Sequence, residues 1–148
     1  MNRFNKVLAA TFLSAAMLFS GAAQAMTIQQ FDKMANDDQA EYVSELVSGA
    51  EKVLTDEGKA DQAKKVENLF TTNAPDGNTS IGMSQFMITL ALMRLNDAKN
   101  AVDHPNDPRL EVEDTMFLML QKNRVELPDS FFTVNKNFKP KHAQNKKN

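Results

Sequence analysis

The side chains that most often carry out catalysis are scarce in this sequence. It has no cysteine, and its two histidines are His104, in a loop that contains prolines, and His142, near the end of the chain. A catalytic histidine must be held within hydrogen-bond reach of the proton that it transfers. Neither histidine lies in a segment with the pattern of a helix or strand. The sequence therefore predicts a protein that is not an enzyme and that needs no cofactor.

Neighbouring acidic residues are the other candidates for acid-base chemistry. Glu111 with Asp114 and Glu41 with Glu45 are spaced so that each pair lies on one face of a helix. The chain has 19 acidic residues, and such pairs arise by chance in an acidic chain. We interpret both pairs as solvated helix surface rather than as a hydrolytic site.

Oxygen-bearing side chains alternate along one polar loop and could hold a cation. Asp76, Asn78 and Ser80 occupy the third, fifth and seventh places of the stretch from 74 to 85, which lies between two helical patterns. These are ligand places in the calcium loop of the EF-hand, and the stretch resembles that helix-loop-helix module. The loop from 103 to 114 repeats the resemblance.

The resemblance covers residues 70 to 118 and implies a pair of helix-loop-helix units. In that family a hydrophobic residue at the eighth loop position joins two loops through a short backbone pairing, and these positions are Ile81 and Leu110 here. The resemblance implies calcium as the ion, bound at the three oxygen side chains of the first loop. A calcium-responsive regulatory module is therefore the alternative function.

The first loop departs from the family's pattern at three places. It has Ala74 where the family has an acid, Thr79 where it has glycine, and Gln85 where it has a bidentate glutamate. In the second loop, Pro105 and Pro108 occupy the third and sixth places, which interrupts a loop that must wrap a cation. The resemblance is thus to a degenerate EF-hand.

Methionine is concentrated in the second half of the chain. Five of the seven methionines after residue 25 lie between 83 and 119. Thioethers bind Cu(I), but His104 is the one histidine or cysteine nearby that could support such a site. Core packing and an adaptable apolar surface are the other interpretations, because methionine fits varied partners. We predict a surface for an unknown protein or peptide partner at Met87, Met93, Met116 and Phe131.

Apolar residues three or four positions apart predict an all-α fold, a small bundle of four to five helices. Thr27 with Gln30 forms a capping-box pattern that opens a short helix, and a longer helix begins at Asn36 or Asp37 and ends at Gly58. A third helix is expected from about 59 to 71.

Two further helices and a C-terminal segment complete the predicted fold. A helix that starts at Thr79 or Ser84 has so many apolar residues that we expect it to be the most buried, and another runs from about 110 to 123. Beyond Pro128, the apolar Phe131, Phe132, Val134 and Phe138 predict an extended segment that lies across the helices.

The first 25 residues have the organisation of a cleavable signal peptide. Arg3 and Lys6 precede an apolar run of about 13 residues, and Ala23-Gln24-Ala25 provides a cleavage site. A bilayer-spanning helix needs about 20 residues, so the run is too short for a stable membrane anchor. We expect cleavage after Ala25 and a periplasmic or secreted protein.

Charge divides the rest of the chain into an acidic body and a basic tail. Residues 26–133 contain ten basic and nineteen acidic residues, a net charge of −9, whereas 134–148 contain five lysines and no acid. Phosphate binding needs a basic face, so an acidic body argues against nucleic acid as a partner. We expect a signal peptide at 1–25, a helical domain at 26–133 and a partly disordered tail at 134–148.

Overall fold

Residues 26–133 of the chain are described by a computed structural model and form five α-helices followed by one 3-10 helix. The elements are α1 (Ile28–Asp32), α2 (Asn36–Asp56), α3 (Ala60–Thr71), α4 (Ile81–Asp103), α5 (Val112–Lys122) and the 3-10 helix (Asp129–Thr133). Within these residues 71% are helical and no strand is present. The predicted all-α bundle is confirmed, while the predicted signal peptide and basic tail lie outside the described residues.

Hydrogen bonds and turn geometry determine where α1 begins and where α2 ends. At the start of α1, the Thr27 hydroxyl accepts a hydrogen bond from the Gln30 N–H at 3.1 Å, and the Gln30 side chain accepts one from the Thr27 N–H at 2.9 Å. This is the predicted capping box. After α2, Gly58 has a φ of 75°, a conformation that side chains with a Cβ rarely adopt, and the chain reverses into α3.

The start of α4 lies between the two positions that the sequence suggests. The Ser80 hydroxyl accepts a hydrogen bond from the Met83 N–H at 2.9 Å, so Ser80 caps the helix rather than Thr79 or Ser84. The preceding loop folds back on itself because the Ile81 N–H donates to the Thr72 carbonyl at 2.8 Å. This short hairpin fixes the direction in which α4 leaves α3.

One apolar core holds the helices together. Its largest fully buried side chains come from α1, α2, α4, α5 and the 3-10 helix: Ile28, Phe31, Tyr42, Leu46, Leu54, Phe86, Leu90, Met116, Met119, Leu120 and Phe131. Each such side chain contributes about 1.5–3 kcal/mol by leaving water. Because the chain has no cysteine, burial and hydrogen bonding stabilise the fold without a disulfide.

The expectation that α4 is the most buried helix is wrong. Nine of the 21 residues of α2 are buried, against six of the 23 residues of α4. Phe86, Leu90 and Met93 turn one face of α4 towards the core, whereas the opposite face is exposed although it is also apolar. A helix that is apolar all round needs neighbours on every side, and α4 has them on one side only in the described domain.

The C-terminal aromatic residues pack as a short helix rather than as an extended segment. The Phe131 N–H donates to the Pro128 carbonyl at 3.0 Å, which closes a turn and places Phe131 in the core. Phe132 is half-buried, with its ring centroid 5.5 Å from that of Phe117 in α5. The other two predicted residues, Val134 and Phe138, lie outside the described residues.

Gly82→Ala tests the close approach of α3 and α4. A Cβ at this position would lie 2.9 Å from the Phe70 ring and 3.0 Å from the backbone carbon of Leu69. An uncrowded glycine-to-alanine change inside a helix stabilises it by about 0.5–1 kcal/mol. Here we expect a loss of about 1–2 kcal/mol in the free energy of unfolding, measured by urea denaturation, because the helices must move apart. Ser84→Ala, half a turn away, is the control that should stay neutral.

Candidate functional site

The structure separates the four residues predicted to form a binding surface. Met93, Met116 and Phe131 are at most 7% exposed and belong to the core, so their apolar contacts are made within the protein. Met87 is 48% exposed. The spacing of methionines in the sequence could not reveal this difference, because both faces of α4 are apolar. Of the four residues, Met87 alone is on the surface of the described domain.

An exposed apolar surface surrounds Met87, and the sequence reasoning did not single it out. We define the outer face of α4 as its exposed large apolar residues and the two exposed alanines between them: Met87, Ile88, Ala91, Leu92, Leu95, Ala98 and Val102. The large members are between 48% and 80% exposed. Single exposed apolar residues are ordinary, whereas a strip of them along one helix is a candidate interaction surface. The signal was present in the sequence as a second apolar stripe on the same helix.

The outer face of α4 carries no acid, and Lys99 is the one exposed lysine of this helix. Asp97, on the other side of the helix, is buried and is held by Arg109, whose guanidinium donates to its carboxylate at 2.6 and 3.1 Å. Arg94, at the edge of the face, donates two hydrogen bonds of 2.8 Å to Asp32 of α1. The outer face therefore exposes no acid between 81 and 102, in a domain whose net charge is −9.

The Asp97–Arg109 pair also fixes the loop after α4. The Arg109 hydrogen bonds keep the pKa of Asp97 below its usual range, against the opposing effect of burial, and the Leu110 N–H adds a third donor at 3.0 Å. Leu110 is thereby placed for its carbonyl to accept from the Ile28 N–H at 3.1 Å. The side of α4 that faces away from the outer face thus organises the domain's start and its last helix.

Two of the three predicted calcium ligands, Asp76 and Ser80, accept hydrogen bonds from nearby backbone N–H groups. The Asp76 carboxylate accepts a hydrogen bond from the Asn78 N–H at 3.1 Å, and Ser80 caps α4. Asp76 and Asn78 are exposed, with side chains at the tip of the hairpin. Among residues 26–133, no group of three or more carboxylate or imidazole side chains is arranged to hold a metal.

The two loops are not joined in the way that the EF-hand resemblance implies. Ile81 is hydrogen-bonded to Thr72 within its own loop, and Leu110 is hydrogen-bonded to Ile28 at the start of the domain. The residue at the eighth position of each loop is therefore hydrogen-bonded to a residue outside the opposite loop. The physical reason is that the N-terminal segment 26–28 pairs with the second loop and occupies its free backbone edge.

The candidate residues for acid-base chemistry have structural positions. The Asp114 carboxylate accepts a hydrogen bond from the Glu111 N–H at 3.0 Å and so caps α5. His104 is exposed at the end of α4, where its backbone N–H donates to the Asn100 carbonyl at 2.7 Å. On α2, burial raises the pKa of Glu45, and the neighbouring Glu41 raises it further.

Glu113 is a buried carboxylate that the sequence reasoning missed. It lies in the first turn of α5 and is 1% exposed, and the Tyr42 hydroxyl donates a hydrogen bond to its Oε2 atom. The Oε1 atom has no hydrogen-bond partner among the described residues. The Tyr42 hydroxyl in turn accepts a hydrogen bond from the backbone of Met26. Three segments distant in sequence therefore meet at this carboxylate.

Burial controls the protonation of this pair. Loss of hydration raises the pKa of Glu113 to about 7, although the hydrogen bond from Tyr42 opposes the shift, and Glu111 and Asp114 add to it. Burial, followed by the negative charge of Glu113, raises the pKa of Tyr42 well above its ordinary value. The buried Glu113 carboxylate thus holds a proton more readily than an exposed glutamate does.

No helix within residues 26–133 combines the length and the apolar content that crossing a membrane requires. Comparisons of the chain with protein-family models, with curated proteins and with solved structures find no match.

Glu113→Gln tests the protonation of the buried pair in a chain that retains residues 23–25, so that the nitrogen of Met26 belongs to a peptide bond. The folded pKa of about 7 exceeds the ordinary value of 4.5, so the folded state binds more protons between these values. The wild-type free energy of unfolding should therefore fall as pH rises from about 4.5 to about 7. Denaturation in urea at pH 5 and pH 8 should show the variant gaining roughly 2–3 kcal/mol relative to wild type at pH 8. An unchanged difference between the two pH values would contradict the assignment.

Proposed function

We propose that this protein is an exported binding protein without catalytic activity, and that an amphipathic helix of its partner binds to the outer face of α4. The observation that carries the proposal is the exposure of five large apolar side chains along one face of one helix. Leaving such a strip in water is unfavourable by about 25 cal/mol per Å² of apolar surface. A partner that covers the strip recovers this free energy.

The shape of the surface favours a helix as the bound element. The outer face extends along α4 from Met87 to Val102, and most of its residues have neighbours three, four or seven positions away. Helices recognise one another through side chains at this spacing, because they lie on one stripe of each helix. The alternating large and small side chains leave depressions at Ala91 and Ala98 that a facing side chain can enter.

The charge distribution supports a partner with an apolar face and a polar or basic outer side. The outer face of α4 is free of exposed acid, so an apolar stripe can approach it without placing a carboxylate in a dry contact. The surrounding domain has a net charge of −9 and attracts basic residues at the edges of the contact. Electrostatic attraction of this kind increases the rate of association.

The double variant Leu92→Glu, Leu95→Glu tests this function in the chain from Met26 to Asn148. The probe is a synthetic 20-residue amphipathic helix of leucine, alanine and lysine, with its affinity measured by fluorescence anisotropy. Both leucines are more than half exposed, so the free energy of unfolding should change by less than about 1 kcal/mol. Affinity for the probe should fall at least about tenfold, because charges replace two central contacts.

The matched control is Asn96→Glu, Asn100→Glu, which adds the same two charges to exposed positions of α4 outside the outer face. This control should bind the probe with nearly the wild-type affinity. Equal losses in both double variants would show a nonspecific charge effect. That outcome, or no binding of the probe to the wild type at about 1 mM, would overturn the proposed function.

A further inference from the structure

The outer face of α4 has the seven-residue repeat of a helix that pairs with another helix. Large residues recur at one heptad position, Ile88, Leu95 and Val102, and small residues recur at the other, Ser84, Ala91 and Ala98. These are the a and d positions of a heptad, and the core-facing residues of α4 fall on the remaining positions. The helix is therefore able to pack on its own domain and on a second helix at the same time.

An antiparallel copy of α4 is complementary to this face. When two copies run in opposite directions about a twofold axis that crosses the outer face at the height of residue 93, each a residue lies opposite a d residue of the other copy. The layers are Ile88 with the partner's Ala98, Leu95 with the partner's Ala91, and Val102 with the partner's Ser84, each occurring twice by symmetry. All six layers then join a large side chain to a small one, which fills space evenly.

We propose that a second copy of this chain is the helix that covers the outer face of α4, in this antiparallel register. The inference rests on the proposed function, since it identifies the partner of the same surface. The basic residues that this partner brings to the edges of the contact are Arg94 and Lys99 of its own α4. A parallel pair would place large residues opposite large ones and alanine opposite alanine, which crowds some layers and leaves voids in others. Shifting the antiparallel pair by seven residues in one direction leaves four layers on the helix. The opposite shift keeps six layers but uses the half-buried Ile81 in place of the exposed Val102.

The flanking residues fit the same arrangement. Leu92 of the two copies approach each other across the axis, which extends the apolar contact at its centre. Arg94 also lies near the axis, and each copy of Arg94 is already paired with its own Asp32. An acid-free interface lets two domains of net charge −9 meet where their repulsion is weakest. Added salt should strengthen the dimer, because it screens the remaining repulsion.

The length of α4 limits the area of the dimer contact and therefore its affinity. α4 is 23 residues long, so it extends about 34 Å, and a single helix pair of this length lies at the small end of specific interfaces. We therefore expect a reversible dimer that dissociates at roughly micromolar concentration. Light scattering coupled to size exclusion should show the mass rising towards that of a dimer over this range.

The absence of cysteine allows a clean crosslinking test in the chain from Met26 to Asn148. Ile88→Cys and Ala98→Cys are prepared as separate proteins and oxidised alone and as a mixture. In the proposed register each position faces the other one, so a disulfide-linked dimer should form in the mixture. The same position in two copies is separated by ten residues along the axis, about 15 Å, which is too far for a disulfide.

Crosslinking of Ile88→Cys alone, with none gained on mixing, would indicate a parallel pair and overturn the register. A protein that stays monomeric at about 1 mM and does not crosslink would overturn self-association. If that monomer still bound the model amphipathic helix through Leu92 and Leu95, the proposed function would stand without the dimer. If it bound neither, both proposals would fail.

The buried Glu113 lies beside Met26, the first residue of the mature chain that the sequence predicts. The Met26 carbonyl accepts a hydrogen bond from the Val112 N–H at 2.9 Å, and the Met26 backbone donates to the Tyr42 hydroxyl, which itself donates to Glu113. Glu113 is 1% exposed, and its Oε1 atom has no partner among the described residues. A positive charge at this place would offset the burial of the carboxylate.

We infer that cleavage after Ala25 places the new α-ammonium group of Met26 next to Glu113, and that the two charges form a buried pair that stabilises the mature fold. The ammonium can keep the hydrogen bond to Tyr42 that the peptide N–H makes, since it donates in the same direction. It has two more donors for the neighbouring carboxylates. Removal of the signal peptide would thus add an interaction as well as remove a segment.

The test compares a chain that begins at Met26 with one that begins at Ala23, each released from a fusion and verified by mass. At pH 7 the chain that begins at Met26 should melt about 3–6 °C higher, and the difference should vanish when both carry Glu113→Gln. Glu57→Gln, at the exposed residue that follows α2, is the control that should preserve the difference. Equal melting temperatures of the two wild-type chains, or a difference that persists with Glu113→Gln, would overturn the inference.

Discussion

Two backbone hydrogen bonds join the beginning of the domain to the beginning of its last helix, and much of the structure is arranged around them. The Val112 N–H donates to the Met26 carbonyl, and the Ile28 N–H donates to the Leu110 carbonyl. Because the chain has no cysteine, this pairing and the core beside it do what a disulfide does in many small exported domains. The pairing also explains why the second loop does not join the first, since its backbone edge is already occupied.

Two buried carboxylates lie next to this pairing, and their surroundings differ. Asp97 is met by the guanidinium of Arg109, which donates from two nitrogens, so its charge is compensated and its pKa is lowered. Glu113 is met by the hydroxyl of Tyr42, which satisfies one oxygen without supplying charge, so burial dominates and its pKa is raised. The first acid anchors a loop, whereas the second leaves a charge deficit beside Met26. A free amino group at Met26, as inferred above, would offset this deficit.

The outer face of α4 is exposed because of the way the core is filled. The rest of the core comes from the other four α-helices and the 3-10 helix, and it needs one face of α4 only. A helix of 23 residues with apolar side chains on both faces is therefore left half covered. For this reason the sequence did not predict most of the candidate surface. Three of its expected residues, Met93, Met116 and Phe131, pack into the core, and Met87 alone belongs to the exposed strip.

The sequence by itself determined the features that depend on neighbouring residues. Apolar spacing and local capping chemistry, such as Thr27 with Gln30 and the left-handed turn at Gly58, predict the helices because these interactions act within a few residues. Tertiary structure alone decided which face of α4 turns inward and that Glu113 is buried while most acids stay exposed. Both outcomes depend on contacts between segments far apart in the chain. Local periodicity cannot encode them when a helix is apolar on two sides or when an acid lies in an ordinary first turn.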